Sequence, residues 1–104
     1  MDQSADVQPG QIVKVLRGRE SHQYAIVVGV MDDRFVWIAD GDKRKFDQPK
    51  KKNRSHLEPQ SQIAREVADS LAQTGRVTNG KLRYALGKFA EQQRSEAHDE
   101  EKGE

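Results

Sequence analysis

Three apolar segments dominate the first part of the chain, at residues 11–16, 24–30 and 35–39. All three are rich in β-branched and aromatic residues, which are typical of β-strands. None of them alternates strictly between apolar and polar positions, as a strand with one face in water does. The pattern therefore predicts three strands of a sheet that is at least partly covered on both faces.

Turn-forming residues bound these strands. Pro9 and Gly10 precede the first strand, and residues 31–34 (Met-Asp-Asp-Arg) predict a hairpin turn between the second and third. Residues 40–42 predict a further turn after the third strand. The apolar pattern thus begins as a β-meander.

Two further short strands are expected after this meander. The fourth is predicted at residues 43–46, with Phe46 pointing inward, and the fifth at residues 56–58, ended by Pro59. The residues between them are expected to form a basic loop. Five short strands within about fifty residues favour a small, partly open barrel of the SH3-like type.

The apolar spacing then changes to the helical period of 3.6. A first helix is predicted at residues 61–73, with Gly75 after its end. A second is expected to start at Thr78 or Asn79 as the capping residue. Such short helices are marginal alone, so we expect them to pack on the second face of the strands.

The predicted fold class is therefore mainly β, a five-stranded SH3-like barrel followed by two short C-terminal α-helices and a disordered acidic tail. The predicted parts are a disordered lead (1–8), the barrel (9–59), a two-helix extension packed on the barrel (60–92) and the tail (93–104). A chain of 104 residues has room for one such compact domain.

Charge is unevenly distributed along the chain, although the net charge is only +1. Residues 11–88 contain sixteen Lys and Arg against nine Asp and Glu, whereas residues 89–104 contain six acidic residues against two basic ones. A basic body between acidic ends favours a polyanionic partner.

Several function classes are disfavoured. The chain has no cysteine for a thiol or zinc site, and its three histidines are far apart in sequence. It has no phosphate-binding glycine motif, nucleophile elbow or paired carboxylates. We therefore expect a protein that is not an enzyme and has no metal and no cofactor. No apolar run is long enough to span a membrane, the N-terminus does not resemble a secretory signal, and cysteine is absent, so a cytoplasmic protein is expected. Nothing in the sequence suggests an oligomer, so we also expect a monomer.

The candidate nucleic-acid-binding residues form two basic patches. Lysine suits phosphate as a point charge, whereas arginine binds bidentately or stacks on bases. The first patch contains Lys43, Arg44, Lys45, Lys50, Lys51, Lys52 and Arg54. The second contains Arg17, Gly18 and Arg19, with Lys14, His22 and Tyr24 beside it. The alternative is that these charged residues form only a solvated loop and bind no partner.

Trp37 shares one face of the third strand with Phe35. It either points outward, where it can stack on a base, or packs beneath the helices, and we favour the second interpretation.

The chain resembles the KOW motif, an RNA-binding element built on an SH3-like barrel, and is similar to the ribosomal protein L14e/L6e/L27e group with its small bacterial KOW proteins. The segments that carry the resemblance are residues 18–20, 24–30, 35–41, 44–45 and 49–52. One departure is that the family turn usually has a second glycine four residues after the first, where this chain has His22.

The resemblance implies a non-enzymatic protein that binds ribosomal RNA as a ribosome component or an associated factor. The alternative is a KOW/SH3-like protein-interaction module that acts on ribosomal or transcription proteins. Phosphate binding weakens steeply with salt, which separates the two hypotheses.

Overall fold

The computed structural model of this protein describes the backbone of residues 7–102 and the side chains of residues 7–94. The strands are β1 (Gln11–Val15), β2 (Tyr24–Val30), β3 (Phe35–Ala39), β4 (Lys50–Asn53) and β5 (Leu57–Ile63). The helices are α1 (Arg65–Thr74) and α2 (Asn79–Lys102). The strands form one antiparallel sheet in the order β4-β3-β2-β1-β5. A mainly β body followed by two helices is thus confirmed, and the sheet is open at β4 and β5.

The first three strands follow the apolar pattern closely. β2 and β3 have the predicted bounds, and β1 ends one residue early because Leu16 is exposed. The predicted turn between β2 and β3 is also confirmed. The carboxylate of Asp32 accepts hydrogen bonds from the backbone N–H groups of Arg34 and Phe35, both at 2.8 Å.

The prediction of a fourth strand at residues 43–46 is wrong. That segment has irregular backbone, and the lysines expected in a loop form β4, which pairs with β3. Lysine is a poor strand former, but an edge strand tolerates it because charged side chains can reach water there. Phe46 nevertheless points inward and packs against the core beneath the helices.

The predicted ends of the fifth strand and the first helix also need correction. β5 runs through Pro59 to Ile63, and its pairing with β1 is irregular between Gln11 and Val13. Proline is accepted because β5 is an edge strand. Residues 61–63 belong to this strand, so α1 starts at Arg65 rather than at residue 61.

Both predicted helix signals are found in place. Gly75 ends α1 with a left-handed backbone, at a φ of 76°. Thr78 is the residue that caps α2, because its hydroxyl oxygen accepts a hydrogen bond from the backbone N–H of Lys81 at 3.1 Å.

Two apolar clusters cover the two faces of the sheet. The first joins Ile12, Ile26 and Ala39 to Leu82 and Phe89 of α2, together with residues of α1. The second, which we call the interior cluster, consists of Val7 and of residues on the face of the sheet opposite the helices, namely Val13, Val15, Ala25, Val27, Val36, Ile38 and Leu57. This arrangement agrees with the expectation that both faces are covered and that the helices pack on one of them.

The two ends of the chain differ in how they relate to the core. Val7 is buried, so the folded body begins within the predicted lead, whose residues 1–6 lie outside the described part. At the other end, the prediction of a short second helix is wrong, because α2 is 24 residues long and its helical backbone reaches into the segment 93–104. The disorder of that segment stays a prediction, and residues 103–104 are not described. No described helix has the length and hydropathy that crossing a membrane requires.

Candidate nucleic-acid interface

The two basic patches meet where β4 contacts the loop between β1 and β2. The ammonium group of Lys52 on β4 donates a hydrogen bond of 2.9 Å to the backbone carbonyl of Arg17. The ammonium nitrogen of Lys50 lies 3.5 Å from the carboxylate of Glu20 in the same loop. β4 is therefore fixed to the loop between β1 and β2, which we call the 16–23 loop.

The strand conformation of β4 divides its three lysines between the two faces of the sheet. Lys50 and Lys52 are paired with Ile38 and Val36, on the interior side, and Lys52 is only 9% exposed. Lys51 is exposed on the opposite side, with its nitrogen 4.8 Å from the ring centroid of Phe35. The three residues therefore do not act as one cluster of free cations.

The 16–23 loop has two residues with positive φ, Gly18 at 98° and His22 at 72°. A Cβ atom on residue 18 would lie 2.9 Å from the Lys52 nitrogen, so glycine leaves the space that this lysine occupies. His22 therefore has the left-handed backbone conformation that glycine adopts most readily. The backbone N–H of His22 donates a 2.6 Å hydrogen bond to Val15, which closes the loop.

A second loop, residues 40–45, presents further cations. The carboxylate of Asp40 accepts hydrogen bonds from the backbone N–H groups of Asp42 and Arg44, at 2.8 and 2.9 Å. This turn leaves Lys43 and Lys45 exposed, whereas Arg44 is half-buried. Lys43, Arg44 and Lys50 line a small cleft together with Glu20, so this loop adjoins the 16–23 loop.

Three of the predicted site residues have structural contacts of their own. Tyr24 packs edge-on against Phe89 of α2, with 4.9 Å between ring centroids. Lys14 on β1 lies opposite Tyr24 of β2 and Glu58 of β5 in the strand register, on the face that the helices cover. The guanidinium group of Arg54 donates a 3.1 Å hydrogen bond to the carbonyl of Asp32.

Most of the predicted residues thus fall into two sets. Lys14, on the face that the helices cover, the half-buried Arg44 and Gly18, which has no side chain, belong to neither. Those held by contacts to the protein are Lys50, Lys52, Arg54 and Tyr24. Those whose cationic side chains are exposed on the joined loops and on β4 are Arg17, Arg19, Lys43, Lys45 and Lys51. His22 is also exposed.

Sequence reasoning missed Glu20 and Phe35 as parts of this surface. The Glu20 Oε1 atom is shielded from water, but the Lys50 and Glu20 side chains that form the ion pair are 33% and 29% exposed, so solvent screens their attraction. Side chains alternate between the two faces of a strand, so recognising residues 50–53 as a strand would have placed Lys51 on the opposite face from Lys50 and Lys52.

One carboxyl group beside this surface has a shifted pKa. Hydrogen bonds from the backbone N–H groups of Arg34 and Phe35 lower the pKa of Asp32, because they stabilise its charged form. Among the residues that the structure describes, no three acidic or histidine side chains converge as a metal site would require.

A scan against known family profiles finds no match for the chain. A comparison with curated proteins finds similarity to the "Putative ribosome-binding protein YbzG" of Bacillus subtilis (strain 168). The two sequences are 43% identical over 70 residues, which are 67% of this chain and 95% of that protein.

The chain belongs to the YbzG family. The similarity extends over almost the full length of the YbzG relative, so it concerns a whole protein rather than a shared module. The remaining third of the present chain has no counterpart in that alignment.

Proposed function

We propose that the protein is a non-enzymatic, cytoplasmic RNA-binding protein that associates with the ribosome as a monomer and contacts ribosomal RNA. Two findings support this proposal: the name of the YbzG relative refers to ribosome binding, and the two basic loops lie on one surface. The second observation is the decisive one, because it joins cations that are far apart in the sequence.

The proposed mechanism places Arg17, Arg19, Lys43 and Lys45 on phosphate oxygens. Lys50 and Lys52 act indirectly, because their contacts to Glu20 and Arg17 hold the 16–23 loop in place before RNA arrives. A preorganised loop loses less conformational entropy on binding. Phosphate contacts fix orientation and carry no sequence information, so this surface reads the shape of a structured RNA.

We assign the sheet to the SH3-like barrel of the KOW type, opened between β4 and β5. The assignment is supported by five antiparallel strands in which β1 pairs with both β2 and β5. It is also supported by the glycine-like backbone of His22, at the position where the KOW pattern has glycine.

The test compares two triple variants of equal charge change. The first is Arg17→Ala/Arg19→Ala/Lys43→Ala, in which all three side chains are exposed. The control is Arg65→Ala/Arg76→Ala/Arg94→Ala, whose exposed cations belong to α1, α2 and the link between them. Lysates that contain each protein are sedimented through sucrose gradients at several salt concentrations, and purified protein is titrated with ribosomal RNA fragments.

We expect the first variant to leave the ribosomal fractions at lower salt than the wild type and the control. For RNA binding, the slope of log K against log salt should become shallower by about 2 to about 3, since three phosphate contacts are lost and each contributes about 0.7 on single strands and about 0.9 on a duplex. Equal behaviour of the two variants would contradict RNA binding through these loops. Salt-insensitive sedimentation of all three proteins would instead favour the protein-interaction module.

A further inference from the structure

A second surface lies on the opposite face of the sheet from the interior cluster. Along β3, Val36 and Ile38 are buried in that cluster, whereas Phe35 and Trp37 point to the other side and are half-buried. The helices cover this side around Ala39. Within the part of the chain that the structure describes, Trp37 does not belong to the cluster that packs against the helices, which differs from the favoured interpretation of the sequence.

Trp37 lies between Gly29 and Lys51 in the sheet, because Gly29 on β2 and Lys51 on β4 are its two cross-strand partners. A Cβ atom on residue 29 would be 3.4 Å from Cδ1 of Trp37, so the indole rests against the β2 backbone at this glycine. The strand supports one side of the ring.

A cation completes this surface. The Lys51 ammonium group is exposed, directly across from Trp37, and lies over the Phe35 ring at 4.8 Å. Two aromatic rings and a lysine are thus placed together on a rigid sheet. Aromatic rings with adjacent cations are the combination that binds unpaired nucleotides, because every base offers a face for stacking and every linkage offers a phosphate.

We propose that Phe35, Trp37 and Lys51 bind an unpaired RNA base and its phosphate, with the base stacked on Trp37. This inference rests on the proposed function and adds a ligand class to it, namely a looped-out or single-stranded nucleotide next to the structured RNA. Charge complementarity supports RNA as the occupant, because the exposed Lys51 ammonium lies across from Trp37 and over the Phe35 ring, on the face of the sheet opposite Lys50 and Lys52.

Trp37 is the single tryptophan of the chain, so its fluorescence reports this site alone. The probes are a fluorescein-labelled oligouridylate, which is unpaired, and a blunt RNA duplex of similar charge. We expect the oligouridylate to quench Trp37 fluorescence and the duplex to leave it unchanged. By anisotropy, Trp37→Leu should weaken oligouridylate binding about tenfold and leave duplex binding unaltered.

Two further variants keep the test independent of folding. Trp37→Phe retains an aromatic face and should recover most of the lost affinity. Tyr84→Leu is the matched control, because Tyr84 is an aromatic residue of α2 that is 61% exposed, and it should bind both probes as the wild type does. Far-UV circular dichroism confirms that each variant is folded.

The outcomes separate this inference from the proposed function. If the loop variant Arg17→Ala/Arg19→Ala/Lys43→Ala weakens RNA binding while Trp37→Leu has no effect and no quenching occurs, the stacking site is refuted and the proposed function stands. If neither probe nor ribosomal RNA binds, both are refuted. If Trp37→Leu leaves the ribosome but binds both RNAs normally, the face contacts a protein, and the inference is wrong.

Discussion

The ammonium group of Lys52 donates a hydrogen bond to the backbone carbonyl of Arg17, which lies 35 positions earlier in the chain. This contact joins the edge strand β4 to the loop between β1 and β2. Lys52 is only 9% exposed, so its charge serves the fold rather than a ligand. A residue that appears in the sequence as part of a phosphate-binding run thus positions the cations of another loop.

Replacing Lys52 with methionine tests this role. Lys52→Met keeps an apolar stem of similar length and removes only the ammonium group. A hydrogen bond from a charged donor contributes about 1.5–3 kcal/mol, so we expect the free energy of unfolding in urea to fall by about that amount. The transition is followed by circular dichroism and by Trp37 fluorescence.

Lys51→Met is the matched control for this measurement. Lys51 is its neighbour on β4 and its ammonium lies over the exposed edge of the sheet, where a contact with Phe35 contributes about 0.5–1 kcal/mol. Equal losses in the two variants would show that the contact to Arg17 has no special stabilising effect.

Two glycines with similar backbone angles form a second matched pair. Gly41 and Gly75 have φ values of 82° and 76°, so alanine is strained at both, by about 1–2 kcal/mol. A Cβ atom at Gly41 would also overlap the carbonyl oxygen of Asn79 in α2, whereas one at Gly75 meets nothing within 4 Å.

We therefore expect Gly41→Ala to be less stable than Gly75→Ala by about 1–3 kcal/mol, the usual cost of overpacking. Chemical denaturation of both variants measures this difference. Because the guanidinium of Arg83 also donates to the Gly41 carbonyl at 2.7 Å, the larger loss should be accompanied by weaker docking of α2. Equal stability of the two variants would mean that the contact with Asn79 relaxes without cost.

The parts of the fold that the sequence predicted correctly are those set by local patterns. β2 and β3 follow from runs of β-branched and aromatic residues, and the turn at Asp32 and the helix end at Gly75 follow from side-chain and backbone preferences. β4 was missed because three consecutive lysines have no apolar alternation, and this strand is defined by pairing with β3. The length of β5 was missed because Pro59 normally ends a strand.

The candidate site was predictable in composition but not in arrangement. Charge density identified both basic segments, yet the contact between Lys52 and Arg17 depends on which face each β4 residue occupies. The same is true of Tyr24, whose ring packs on Phe89 because α2 crosses that part of the sheet. Such long-range pairings are consequences of tertiary packing, which local sequence does not specify.

Acid sensitivity of the β2–β3 turn is expected from the hydrogen bonds of Asp32. Because the pKa of Asp32 in the folded protein is lowered from its ordinary 3.8, its contribution to stability is complete above that ordinary value. It is lost as the pH falls towards and through the lowered pKa. Asp32→Asn removes this titration and should lose less stability between about pH 5 and about pH 3 than the wild type.

The control for the acid measurement is Asp33→Asn, which makes the same charge change one residue away in the same turn. Urea unfolding of the wild type and both variants gives the difference in the free energy of unfolding between each variant and the wild type at each of the two pH values. If Asp33→Asn flattens the pH dependence as much as Asp32→Asn does, general charge repulsion rather than the turn is responsible.

His22 permits a test that separates backbone strain from RNA contact. Its φ of 72° costs a non-glycine residue about 1 kcal/mol or more, although histidine tolerates this region better than most. His22→Gly removes the strain but adds freedom to the unfolded chain, so we expect a net gain of up to about 0.5 kcal/mol. His22→Val should instead lose at least about 1 kcal/mol, because a β-branched side chain fits poorly at positive φ.

Urea unfolding and RNA titration of the same two variants then assign the role of the side chain. If the His22 imidazole contacts phosphate, His22→Gly should bind RNA more weakly although it is at least as stable as the wild type. If the histidine only occupies a position suited to glycine, its RNA affinity should be unchanged. Equal stability of the glycine and valine variants would contradict a positive φ at residue 22, because only that backbone conformation is expected to favour glycine over valine by this much.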